Sequence, residues 1–202
     1  MNDPEAWIFL LLGMSGGFLL SFVFWWWINH RLVPEISFSE ELSKRPIEYD
    51  QQEYRHQFAF KNTGARSIIN IRIKARLVIT DPRKNGSLEL NYYNITLSNY
   101  EFFELEPERT IFMAPLLAQS IGLETQILDE ALTTSRRANT LTLEGVFDIY
   151  PDSFFYVQAI GTDIYSNATK VFQSKNYKRQ DVRLGVFKRG SLNISALKAH
   201  RK

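Results

Sequence analysis

The sequence predicts a mainly β protein: an N-terminal transmembrane helix followed by an antiparallel β-sandwich with one short helix. Three observations carry that expectation. Between Glu5 and His30 no side chain is charged. From Ile69 to Ile79 apolar residues recur with a period of two, interleaved with residues that are polar except for Val78. Beyond the anchor, short strand-like runs are separated by turn residues without the strand–helix alternation of a parallel sheet.

The anchor runs from about Ala6 to Asn29. At roughly 1.5 Å rise per residue, a helix of that length covers the roughly 30 Å hydrocarbon core of a bilayer. The rival is a cleaved signal peptide, which needs a positive start, a shorter apolar core and a small-residue cleavage site. Asp3 and Glu5 stand where the positive residues should be, and Trp25-Trp26-Trp27 is too bulky for cleavage. Trp7 near one end and Trp25, Trp26 and Trp27 near the other are placed as interfacial anchors, because amphipathic rings favour the headgroup layer. Arg31 follows them, then Lys44 and Arg45, whereas the upstream flank is acidic. Lys and Arg beside a span are retained on the cytoplasmic side. The expectation is therefore a single-pass protein of the cell membrane, N-terminus outside and globular domain cytoplasmic. The chain has no cysteine, which fits a reducing compartment.

The organisation expected is a tail and span over 1–31, a β-sandwich domain over 32–190 and a basic C-terminal tail over 191–202. The domain has the size of one core rather than two. Net charge is +2, with acids and bases interspersed, and no nucleic-acid partner is indicated.

Strand assignments follow the period. Phe58 and Phe60 alternate before Asn62-Thr63-Gly64, a turn that leads into the run from Ile69 to Ile79. Further strands are expected at 35–39, 88–97, 109–114, 140–150, 154–162 and 168–174. The one helix is placed at 124–133, where Ile127, Leu128, Ala131 and Leu132 fall at helical spacing.

In order, these segments resemble the cytoplasmic immunoglobulin-like domain of inward-rectifier potassium channels. The likeness runs from Ile36-Ser37-Phe38-Ser39 through Phe58–Arg66, the Ile69–Ile79 strand, Leu105-Glu106-Pro107-Glu108 and Ala114-Pro115-Leu116-Leu117. It ends in Phe155–Asp163, Lys170-Val171-Phe172, Tyr177, Asp181-Val182 and Gly185-Val186-Phe187. The resemblance implies an immunoglobulin-like sandwich and assembly of several copies. The chain departs from those channels in having one span where they have two. It also lacks a Thr-x-Gly-Tyr-Gly filter, whose carbonyls would replace potassium's hydration shell. The basic stretch that reads lipid in many of them is missing too, so neither pore nor lipid gating is carried over.

Nothing in the sequence reads as an active centre. Three histidines, His30, His56 and His200, are scattered, and no thiol or phosphate-cradling glycine loop is present. Asp148, Asp152 and Asp163 near turns are expected as local backbone-bonding residues rather than calcium ligands. No enzyme and no cofactor or metal is expected.

Association is better marked. Gly13, Gly17 and Ser21 recur every four residues and form a small-residue face that would let two helices approach closely. The partners expected are the lipid bilayer and a second copy or another membrane protein. Two functions follow: a non-enzymatic membrane-anchored module for protein interaction or regulation, or an accessory or oligomeric component of an ion channel or transport system. A conduit would need polar residues in register along one helix face, and only Ser15 and Ser21 are available.

Overall fold

The structure is a computed structural model that describes residues 4–31, 34–47, 50–82, 88–117 and 141–196. It divides into two compact units, Met1–Val33 and Pro34–Lys202. The first contains a helix, α1 (Pro4–Arg31), slightly longer than the uncharged stretch that predicted it. Pro4 sits at its first position, where a missing N–H is harmless. Within α1, Trp7–Trp27 is long and apolar enough to cross a membrane.

The second unit is mainly β. Its first half contains β1 (Ile36–Phe38), β2 (Leu42–Ile47), β3 (Asp50–Asn62) and β4 (Ile68–Pro82), then β5 (Leu88–Leu97), β6 (Glu101–Leu105), β7 (Thr110–Met113) and β8 (Pro115–Leu116). After a helix, α2 (Leu143–Ile149), come β9 (Phe154–Asp163), β10 (Thr169–Gln173), a 3-10 turn (Arg179–Asp181), β11 (Val182–Leu184), β12 (Val186–Phe187) and β13 (Ile194–Ser195). One sheet has the order β1-β3-β2-β11, with β7 also on β3. A second has the order β10-β9-β4-β5-β8, with β6 also on β4. Both feed one buried cluster: Phe58 of β3 meets Phe155 of β9 at 6.1 Å between ring centroids, and Phe60 meets Phe102 of β6 edge-on at 6.2 Å.

Turn chemistry explains how the chain passes from β3 to β4. Asn62 is fully buried. Its Nδ2 donates to the carbonyls of Arg66 (2.7 Å) and Leu105 (3.0 Å), while its Oδ1 accepts from the Gly64 amide at 3.0 Å. These bonds fix the turn and tie it to β6, and having both ends of the amide engaged is what makes it tolerable in a core.

Four sequence expectations need correction. Residues 140–150 are expected as a strand, but the structure has α2 over Leu143–Ile149. Its buried residues, Leu143, Val146 and Phe147, follow helical spacing, and the Thr142 Oγ1 accepts from the Gly145 amide at 3.1 Å as an N-cap. Pro151 then ends it.

In β4 the alternation does not run unbroken from Ile69. Register against β9 shifts between Ile69 and Arg72, and Asn70 adopts φ 51°. One inserted residue at this bulge turns both Ile68 and Ile71 into the core and leaves Ile69 half-buried. Asn is among the residues that enter this left-handed region most readily. Gly161 lies across from the bulge, where a Cβ would come within 2.3 Å of Ile68 Cγ2.

The sheets are also not wholly antiparallel, since β11 pairs with β2 in parallel. Finally, paired backbone continues to Ser195 through the β12–β13 hairpin, past residue 190 where the domain was expected to end. The helix expected at 124–133 and the tail from Lys198 lie outside the described residues.

Candidate functional site

Two regions hold the groups that could act: one face of α1 and the polar clusters of the β unit. On α1, Gly13, Gly17 and Ser21 are exposed, and a Cβ at either glycine would meet no atom within 4 Å. Residues four apart lie one above another on a helix, so the three make a narrow stripe where a backbone could be approached closely. Ser15 is not part of it. Its hydroxyl donates back to the carbonyls of Leu11 (2.9 Å) and Leu12 (3.1 Å), which satisfies it inside its own helix.

Trp7 is exposed at one end of the span, and Trp25, Trp26 and Trp27 are exposed at the other. Phe22 and Phe24 pack beside Trp25 and Trp27 at centroid distances of 6.0 and 6.1 Å. Arg31 is the last residue of α1.

In the β unit the most connected carboxylate is Glu144 of α2. The Lys44 Nζ lies 2.5 Å from one of its oxygens and the Arg179 Nη1 lies 2.9 Å from the other. Arg179 also donates from Nε to Asp148 at 2.9 Å. The His56 Nε2 approaches Glu144 at 3.6 Å, a long contact that leaves the buried nitrogen without a hydrogen bond. His56, with Lys44 and Arg179 adding to it against the opposing effect of burial, holds the Glu144 carboxyl down to about 2. The cluster joins α2 to β2, β3 and the 3-10 turn. No sequence motif marked it, because its members lie far apart along the chain.

Asp148, Asp152 and Asp163 do not converge. Asp148 is an exposed partner of Arg179, and Asp152 sits on an exposed turn whose carbonyl accepts from Thr80. Asp163 is buried and saturated: it accepts from the Ser166 hydroxyl at 2.6 Å, from the amides of Tyr165 and Ser166, and from Arg66 at 3.3 Å. Burial raises its carboxyl, but these bonds prevail and hold it below the usual range. Among the described residues, no group of three or more His, Asp or Glu side chains is placed to hold a metal ion.

Among the described residues, Tyr177 is the largest fully buried side chain. Its hydroxyl donates to the Ser39 carbonyl at 2.5 Å, and its backbone pairs with Phe155. Burial pushes the phenol up to about 12. With that bond made, Tyr177 ties the segment after β1 to β9.

No protein-family model matches this chain, and no curated protein is detectably similar to it. Among solved structures it is similar to Spo0M, a sporulation control protein from Bacillus subtilis, with 13% identity and a TM-score of 0.30. That alignment covers 74% of this chain and 49% of the other, so this chain spans about half the length of its neighbour. A likeness so slight carries no argument about activity.

Proposed function

We propose that this chain is a non-enzymatic, membrane-anchored interaction module. In this reading its β unit is an immunoglobulin-like sandwich, similar to the cytoplasmic domain of inward-rectifier channels, held at the cytoplasmic face of the cell membrane. Copies associate through Gly13, Gly17 and Ser21. One observation carries the reading: every residue from Trp7 to Trp27 is exposed except Gly16, which is partly covered, although the segment is uncharged and apolar but for Ser15 and Ser21. A helix apolar on all sides needs either protein or lipid around it. Supporting the sandwich, the Phe58–Phe155 and Phe60–Phe102 contacts join the two sheets through one core. Against a conduit, the Ser15 hydroxyl is already spent on its own helix.

The test is crosslinking in membranes, with identification of what co-purifies. A crosslinked homo-oligomer that Gly13→Ile and Gly17→Ile abolish supports the proposal, and a monomer without partners overturns it. An engineered cysteine in the β unit that an impermeant reagent labels from outside the cell would overturn the orientation.

A further inference from the structure

We infer a binding site for an organic phosphate monoester with an apolar or aromatic body, in the cleft where β4 and β5 part. The ladder between these strands runs from Pro82↔Leu88 to Ala75↔Ile95 and stops there. Beyond it, β5 turns away to pair Thr96 and Leu97 with β8, while the Ile73 amide bonds instead to the Tyr100 carbonyl at 2.8 Å. The splay opens a cleft of ≈ 380 Å³, within the range of small-ligand sites, roughly 300–1,000 Å³. Ile73, Ala75 and Ile95 border it, but their side chains turn into the core, so the apolar surface open to a ligand is chiefly the Tyr100 ring.

The charges around it are not balanced. Arg72, Lys74 and Arg76 project from successive outward positions of β4, so their like charges lie side by side. Arg72 has Glu101 as an exposed partner at 3.2 Å. Lys74 and Arg76 have no carboxylate partner among the described residues. The strand partners flanking these two are neutral: Gln158 beside Lys74, and Tyr156 and Asn94 on either side of Arg76. Arg76 is also held in place, since its Nη1 donates to the Tyr156 hydroxyl at 3.2 Å.

Two cations at the rim match a dianion. A phosphate monoester carries about −1.5 to −2 at neutral pH and offers three acceptor oxygens, and a guanidinium is well shaped to donate to them. Asn94 brings a further polar group from β5. Tyr100, exposed at the same cleft, offers a ring face to the ligand's apolar body. Such an ester could be a free metabolite or the headgroup of an anionic lipid.

The full chain in phosphatidylcholine nanodiscs separates these cases. Phenyl phosphate is titrated while backbone amide shifts of β4 and β5 are followed, and a second set of discs carries phosphatidic acid. Saturable binding is expected, weakened about tenfold or more by Arg76→Gln and by Lys74→Met, as loss of a charge-assisted hydrogen bond implies. The exposed Arg183→Gln should leave it unchanged. Inorganic phosphate should bind more weakly, for lack of the apolar body. Shifts with phenyl phosphate in plain discs identify a free ester as sufficient; shifts only with phosphatidic acid identify the headgroup. The inference is overturned if neither phosphate source shifts β4 or β5, or if the Lys74 and Arg76 variants, with native amide spectra, bind as tightly as the parent. Equal affinity for inorganic phosphate would overturn the role given to the apolar body.

Discussion

The two units of this chain use the same apolar side chains in opposite ways. In α1, Phe18 and Leu20 are each 73% exposed, whereas in β3 Phe58 and Phe60 are wholly buried. Removing apolar surface from water is worth roughly 25 cal/mol per Å², whichever medium receives it. The β unit supplies that medium from its own sheets, and its stability therefore resides in packing. The helix supplies none, and its stability depends on what surrounds it. Defects in one unit should thus be read in a different measurement from defects in the other.

The largest effect expected is from Phe58→Ala, which removes a ring from the middle of the core and should cost about 3–5 kcal/mol. Denaturant unfolding of the β unit should show it, with membrane association unchanged. Next is Phe18→Arg, which places a charge midway along the span and should cost about 2.5–3.5 kcal/mol of insertion free energy. The protein should become extractable from membranes by alkaline carbonate, while the unfolding midpoint of the β unit stays where it was. If either substitution moved both readouts, the separation drawn between the units would fail.

Gly161→Ala is expected to cost about 1–3 kcal/mol, since the new methyl would press on Ile68 across the bulge. Amide exchange should accelerate in β4 and β9 rather than in β2. The effects of pH come last because they appear only far from neutrality, and only the β unit should show them. Glu144 has its carboxyl lowered from 4.5 to about 2, so its contribution is complete above 4.5 and is lost as pH falls through 2. Tyr177 has its phenol raised from 10.0 to about 12, so its contribution is complete below 10 and is lost as pH rises through 12. Urea titrations across pH should show an acid limb that Glu144→Gln flattens and an alkaline limb that Tyr177→Phe flattens.

What could be read in the sequence follows from the range of the forces involved. The helix was legible because lipid compatibility is a sum over consecutive residues, and β4 because one of its faces is buried along most of its length. The bulge at Asn70 was not legible, since a residue inserted among isoleucines leaves a plausible alternation in place. Leu141, Leu143 and Phe147 fit a strand as well as Leu143, Val146 and Phe147 fit a helix. The Thr142 cap and the charges gathered on Glu144 support the helix, and those charges come from distant strands. Short elements such as β2, β8 and β11 were missed because pairing, not local pattern, makes them strands. On α1 the glycine spacing could be read directly; the cationic cleft could not, because it exists only where β5 leaves β4.

The parallel pairing of β11 with β2 bears on how the molecule is made. Ser43 donates to the Gly185 carbonyl beside that pair, across 142 residues of chain. At roughly 5–20 residues per second a ribosome needs on the order of 7–30 s to synthesise that interval. By then the apolar helix has long since left the exit tunnel, while β2 still waits for its neighbour. The nascent protein thus presents its apolar helix before its fold is complete, and for that interval the edge of β2 is open to whatever attends the ribosome.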